Sequence, residues 1–508
     1  MTNTITENQA HPECPSRDEQ SADAPFPIVE HLPVSLADEA RTRAECLARS
    51  MLDSDPRLAT IGPFGEHVHA GFSPGPCLFI EDHHAIRLFE ILGNQAYSYR
   101  TLLLARPGDL VVIGGRRSPD FERYCAQTLG FGPVEILEPA LSQRVESLAA
   151  RCGRDRAAID IIAACARSHR GINIVPYMGN GAVWALAGVL ASRAGTPVHV
   201  CAPPPRLTRS VNDKIWFSAA VDRLLGKRAV PTVWPVSGSA VLAVRVAQLA
   251  RDHASLVIKL PDSASSKGNL LLDSASVAGR PLRELRQYLL ALMRRANWQK
   301  NFPVLVSAWE QPVLVSPSVH LWIPAAHLGN PLVEAIFEQK IVGTSGKFTG
   351  AVPTTLPTHW QQRLADEAAL LGVLFQHLGY VGRCSFDAIL VGPTLERAAL
   401  HWIECNGRWG GVSLPVTLAA RLFGDWQSRP FIIAERSGLP GASHSLSEIL
   451  AELGDELLVT DYRQAGAVIL SPSPLEMGTG YDVMVFDDDI EAAERRAARV
   501  DAILTRTL

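Results

Sequence analysis

The 508-residue sequence has no C-x-x-C pair, and its nine cysteines are scattered and odd in number. That argues against a disulfide framework or a zinc site and fits reduced thiols. No apolar run approaches the ~18 residues that would span a bilayer. The polar start, M-T-N-T-I-T-E-N-Q-A-H-P-E, lacks the apolar core of a secretory signal. A cytoplasmic protein with no membrane partner is expected. Charge is not in excess either: 48 Lys and Arg face 52 Asp and Glu, a net of -4. Nothing in that balance calls for nucleic acid or an anionic surface. There is no G-x-G-x-x-G, hence no dinucleotide fingerprint, and no internal repeat.

What is present is enough chain for two to four domains with full cores. Residues 1 to about 24 are polar and read as a tail. Residues 35–53 read as a helix with Ser35 as N-cap. His67, His69, His83 and His84 sit in or near Gly/Pro-rich turns without a cluster of acid or thiol partners. They read as solvated or hydrogen-bonded histidines rather than metal ligands. From Asp109 onward, short apolar strands alternate with helices as far as P-V-H-V at 197–200, which predicts a parallel sheet. Pro203-Pro204-Pro205 marks a boundary.

Beyond it the order changes to helix, hairpin, helix, meander, helix and hairpin. Lys259 stands in the apolar run V-I-K-L, where a lysine is costly unless something pairs with it. An anionic ligand is one answer; snorkelling from an edge strand is the other. D-S-A-S-S-K-G-N is a small-residue loop whose amides could cover a polyphosphate, although hairpin loops share that composition. F-P-V-L-V-S-A-W-E opens an antiparallel meander, and T-S-G-K-F-T-G-A reads as a Gly-rich loop carrying Lys347. The last segment reads helix (445–453), two strands and a helix (488–504). An acidic first turn suits the dipole of that last helix.

The most informative stretch is G-Y-V-G-R-C-S-F-D-A-I-L-V, a turn, then H-W-I-E-C-N-G-R-W-G-G. Two strands joined by a turn place Glu404 and Asn406 on one face and Cys405 on the other. If they pair as a hairpin, Asp387 joins that face. Two carboxylates and an amide oxygen form a set suited to Mg2+, which keeps waters and phosphate oxygens as further ligands. Arg408 follows on the same parity, a planar fork fitted to phosphate or carboxylate. Taken alone, the same residues could be surface polar groups and a turn.

These pieces together resemble the ATP-grasp superfamily over about residues 75–505. Within it they are most similar to the pheganomycin-type peptide ligases, which carry a preceding pre-ATP-grasp domain. The matching segments are N-D-K at 212–214, V-I-K-L at 257–260, S-S-K-G-N at 265–269 and S-P-S-V at 316–319. E-Q-K-I-V-G at 338–343 and the two halves of the hairpin complete the set. The resemblance implies an α/β (α+β) chain: a Rossmann-like pre-ATP-grasp domain, then a two-lobed ATP-grasp fold. The expected divisions are 1–55 (tail and helix), 56–205 (pre-ATP-grasp), 206–303 (N-lobe), 304–430 (C-lobe) and 431–508 (C-terminal extension).

It also implies roles. Lys214 and Lys259 would contact nucleotide phosphates, with Ser265, Ser266, Lys267 and Gly268 closing over them. Ser307, Ala308, Trp309 and Glu310 would hold adenine and ribose. Asp387, Glu404 and Asn406 would hold Mg2+ (or Mn2+), and Arg408 would stabilise the transferred phosphoryl group. The implied activity joins a small-molecule carboxylate to an amine, an amino acid or peptide, at the expense of ATP. A homodimer is compatible with it. An ATP-grasp kinase, an ester- or thioester-forming ligase, and a non-catalytic nucleotide-binding protein are the alternatives. The chain departs from the usual pattern at Ser307, at Ser385, where an arginine is common, and at Val412-Ser413, which replaces a Gly-Thr pair.

Overall fold

A computed structural model describes residues 25–86, 97–141, 146–263, 268–298, 302–342, 347–439, 441, 443–460 and 464–507. The first sheet has six parallel strands. They are β1 (Val68–Ala70), β2 (Cys77–Ile80), β3 (Leu110–Val112), β4 (Glu135–Leu137), β5 (Ile172–Pro176) and β6 (Val198–Val200), in the order β1-β6-β5-β2-β3-β4. The central strands β2, β3 and β5 are wholly buried, because a parallel sheet is covered on both faces. Helices Arg156–Ser168 and Gly181–Ala194 cover it, capped by the side chains of Asp155 and Asn180. The strand order reverses between β2 and β5. A crevice opens there at the carboxyl ends of the strands.

The second sheet is antiparallel: β7 (Val233–Val236), β8 (Ser255–Lys259), β9 (Asn269–Asp273) and β10 (Val304–Ala308), ordered β7-β10-β8-β9. Helices Ser239–Leu249 and Leu282–Arg295 bury Leu242, Val246, Leu285 and Leu289 against it.

The third sheet carries the rest. Its strands are β11 (Val313–Val315), β12 (Pro317–Ile323), β13 (Leu332–Val342), β14 (Lys347–Pro353), β15 (Gly382–Val391), β16 (Ala399–Asn406), β17 (Phe431–Ser437), β18 (Gly466–Ile469) and β19 (Gly480–Phe486). The order is β11-β15-β12-β13-β14-β17-β19-β18, with β16 paired to β15. The strands of the C-terminal segment therefore continue the sheet through β17, rather than forming a separate one. The helix Thr358–His377 covers one face of this sheet with Leu364, Ala368, Leu371 and Phe375.

Two local expectations are corrected. The first helix is Asp38–Ser54 and has no side-chain cap. Ser35 lies outside it: Leu36 packs on the core instead, and Asp38 and Glu39 supply the acidic first turn. Lys347 is not in a loop. It opens β14 and pairs with Val342, so K-F-T-G-A-V-P runs as a strand despite its glycine.

Candidate active site

The β15–β16 hairpin forms as its alternation suggests, and its register is decisive. Asp387 lies directly opposite Glu404, and Ser385 opposite Asn406. On the other flank Asp387 faces Ser318 of β12. Directly opposed residues share a face, so Ser318, Asp387 and Glu404 form one rung. A bulge after Asp387 makes Ala388 pair with Trp402 and Ile389 with His401. It turns Trp402 into the core and leaves His401 beside Glu310, 3.7 Å away. Cys384 and Cys405 are buried in the core on the opposite face.

Hydrogen bonds fix the rung. Ser318 Oγ donates to Asp387 Oδ1 at 2.6 Å, and Asn406 Nδ2 donates to Asp387 Oδ2 at 3.0 Å. Lys214 Nζ sits 2.7 Å from Glu404 Oε2 and donates to the Ser263 carbonyl at 2.9 Å. Asp213 begins that lysine's helix by accepting from the Ile215 and Trp216 amides. Burial, then the charge of Glu404, push the Asp387 carboxyl up to about 7. Burial would raise Glu404 as well, but Lys214, Arg408 and Lys259 outweigh it and hold it below its usual value. A carboxyl raised in this way by the ionised carboxylate facing it makes a donor pair that a divalent cation would satisfy. Among the described residues no three His, Cys, Asp or Glu side chains gather as a metal site. Two carboxylates and an amide oxygen suit a cation that keeps water and phosphate ligands, as Mg2+ does.

Lys259 ends β8 opposite Leu305 of β10, with its ammonium 5.9 Å from the Trp309 ring centroid. Burial first, then Lys214, pull it down to about 8. Arg408 and Gly407 are both held by Asn212 Oδ1, the first through its guanidinium and the second through its amide at 3.1 Å. The next residue, Trp409, donates its amide to the Tyr177 carbonyl at the end of β5.

Ser318, Lys214, Lys259, Asp387, Glu404, Asn406 and Arg408 line one cavity of about 1020 Å³. Ser307, Ala308, Trp309 and Glu310 form one end. Lys214, Lys259, Asp387, Glu404, Asn406 and Arg408 form its middle. His83, Tyr97, Arg100 and Tyr177, from the parallel domain, form the far end. Gly268 is described only in part of its setting: its carbonyl accepts from the Leu260 amide at 2.8 Å. Ser265, Ser266 and Lys267 lie outside the described residues.

Sequence reasoning missed the far end. Arg100 is buried between Glu81 and Asp482, with Asp482 Oδ2 at 3.3 Å. His83 Nε2 lies 2.8 Å from Glu81 Oε1, and its ring is 4.1 Å from that of Tyr177. His83 is thus a hydrogen-bonded histidine, as its context suggests. Ser318 and Asn212 were visible only as members of S-P-S-V and N-D-K. The Arg100–Asp482 contact spans 382 residues and leaves no local signal.

Residues 98–192 match the family described as Pre ATP-grasp domain. No curated protein matches the chain. Among solved structures, an ADP complex of N5-carboxyaminoimidazole ribonucleotide synthetase is similar with a TM-score of 0.52 at 13% identity. The match covers 85% of this chain and 97% of that one. The N5-carboxyaminoimidazole synthase of Aspergillus clavatus, with ADP and 5-aminoimidazole ribonucleotide, gives 0.48 at 12%, covering 85% and 98%. A biotin carboxylase–ATP analogue complex from Campylobacter jejuni gives 0.47 at 11%, covering 86% and 91%. The first likeness shows a shared fold: this chain has a pre-ATP-grasp domain followed by the ATP-grasp fold.

Proposed function

We propose that the chain is an ATP-dependent carboxylate–amine ligase that releases ADP and phosphate. The observation that carries this reading is the Asp387–Glu404 rung, with Asn406 beside it and Lys214, Lys259 and Arg408 in the same cavity. Phosphoryl transfer needs positioning and charge neutralisation rather than a protein nucleophile, and this set supplies both. Lys214 and Lys259 hold ATP phosphates, while the strand end at Ser307–Glu310 holds adenine and ribose. Asp387, Glu404 and Asn406 would hold Mg2+, which neutralises charge on the phosphates.

The chemistry balances in two steps. A carboxylate oxygen attacks the γ-phosphorus, and the bond to ADP breaks with its electron pair on ADP. An amine then attacks the acyl carbon, loses a proton, and phosphate leaves with the C–O electron pair. Arg408, tethered by Asn212, faces the phosphoryl group throughout. The crevice between β2 and β5 adjoins the same cavity, which is where small substrates meet such sheets. Peptide or amino-acid substrates, and a role in specialised small-molecule synthesis, follow from the likeness of motifs noted above.

The test is ADP release from Mg·ATP against a pool of amino acids and small acids, read by mass spectrometry. A product lighter by one water than its two substrates is expected. A phosphorylated product would favour a kinase, and an ester or thioester product the related ligases. Bound ATP without ADP from any pool would favour a non-catalytic nucleotide-binding protein. In the same assay Glu404→Gln combined with Asn406→Ala should abolish turnover with an unchanged circular dichroism spectrum. Retained turnover would sink the metal assignment.

A further inference from the structure

The same sheet face carries a second rung. His320 of β12 faces Ser385 of β15, which faces Asn406 of β16. Its position along the face is set by its neighbours. Ile389 and His401, on one side of the Asp387 rung, lead to Glu310 and the adenine end. Ser385 lies on the other side, toward Arg383, whose guanidinium rests over the Trp409 ring at 4.9 Å. The His320 rung thus stands just past the residues proposed to hold the phosphates and metal, and both His320 and Ser385 line the cavity.

His320 is 3% exposed, and neither ring nitrogen has a hydrogen-bond partner among the described residues. Its surroundings offer little. Ala335 is its partner on β13, and the Phe337 ring meets it edge-on at 6.3 Å. A buried polar group left unanswered is a standing loss of stability, so an external partner is the natural account of it. Burial, then Arg383, hold the ring down to about 3, so it is neutral, with one nitrogen a donor and the other an acceptor.

We propose that the His320–Ser385 rung seats the acid substrate, whose reacting carboxylate accepts hydrogen bonds from the imidazole N–H and the serine hydroxyl. This rests on the ligase reading and adds to it the way the acid is recognised. The carboxylate must act as a nucleophile toward phosphorus. A guanidinium or ammonium clamped on it would withdraw the charge that attacks. Two uncharged donors position the group and leave that charge available. Arg383, the nearest cation along the strand, is already occupied by Glu334 at 2.7 Å.

The test uses full-length protein labelled with 15N-histidine, with the His320 signals identified by their loss in His320→Phe. Mg·ADP is added first, then acetate, N-acetylglycine and succinate. The ring nitrogens of His320 should move with the carboxylates and not with Mg·ADP. Carboxylate affinity should fall at least about tenfold in His320→Phe and recover in part in His320→Asn, with Mg·ADP affinity equal in all three. Signals that follow Mg·ADP alone would place His320 against the nucleotide. Signals that ignore both would make it a packing group. Either result overturns the proposal. Because this readout needs no turnover, it stands apart from the ligase test: absence of Mg·ADP binding would sink that reading while leaving the carboxylate response to be read separately.

Discussion

Lys259 shows how far one buried cation depends on what arrives beside it. Its ammonium is held down to about 8 by burial and by Lys214, well below a free lysine. The unliganded protein therefore loses that proton as pH rises through 8, while polyphosphate favours the charged form and restores it. Nucleotide binding at pH 8.5 should draw up a fraction of a proton, whereas at pH 6.5, where Asp387 is mostly protonated, metal binding should release protons instead. Calorimetry of Mg·ADP in buffers of different ionisation enthalpy would measure this, and zero uptake at the higher pH would count against the phosphate role. Lys259→Ala should weaken nucleotide binding by about 10- to 100-fold, the range for hydrogen bonds to a charged group. The Asp387, Glu404 and Asn406 set was legible in the sequence because strand alternation makes E-x-N a same-face pair. The bulge that turns His401 to Glu310 was not, since one extra residue in a strand changes no residue type. His320 was hidden for a different reason: a histidine inside V-H-L-W reads as core until its partners are known.

At the scale of elements, β17 is squeezed between two glycines. Gly350 of β14 lies opposite Ala434, and Gly480 of β19 opposite Ser437. Both have positive φ, 151° and 156°, and a Cβ on either would run into a β17 carbonyl, that of Ile433 or Arg436. Gly350→Ala should therefore cost about 2 kcal/mol or more through backbone strain and separation of β14 from β17. Thermal unfolding would show it, and an unchanged midpoint would refute the close approach. The β12–β14 meander, the parallel domain and the hairpin were readable because strand patterning and turn residues mark them, but β10, expected to open that meander, joins the second sheet between β7 and β8. Strands β1, β2 and β17 were not readable. The first two are short and flanked by prolines and glycines, and β17 owes its place to partners far along the chain.

For the molecule as a whole, the far end of the cavity depends on Arg100. It ties Glu81, just after β2, to Asp482 of β19. Breaking a buried pair leaves uncompensated charge and costs about 3–5 kcal/mol. Arg100→Met should therefore destabilise the fold strongly, and adding Glu81→Gln and Asp482→Asn should recover much of the loss. Denaturant unfolding of the single and triple variants checks this; equal stability of the two would mean that the ion pair is not what joins the parts. Further joints are the Trp409 amide on Tyr177, the Arg421 guanidinium on the Leu103 carbonyl at 2.7 Å, and Ser118 Oγ on Glu476 at 2.6 Å. Among the described residues no helix is long and apolar enough to cross a membrane.

The Arg100–Asp482 contact also sets a timetable. A ribosome adding about 5–20 residues per second needs about 20–80 s to make the 382 residues between them. In the later part of that interval, once the strands through Val200 have been made and have emerged, the parallel domain stands with Arg100 answered by Glu81 alone. Prematurely terminated chains would carry the nucleotide-facing strands but an unfinished wall at the substrate end. Synthesis itself thus keeps the cavity open at one side until nearly all of this sequence has been translated.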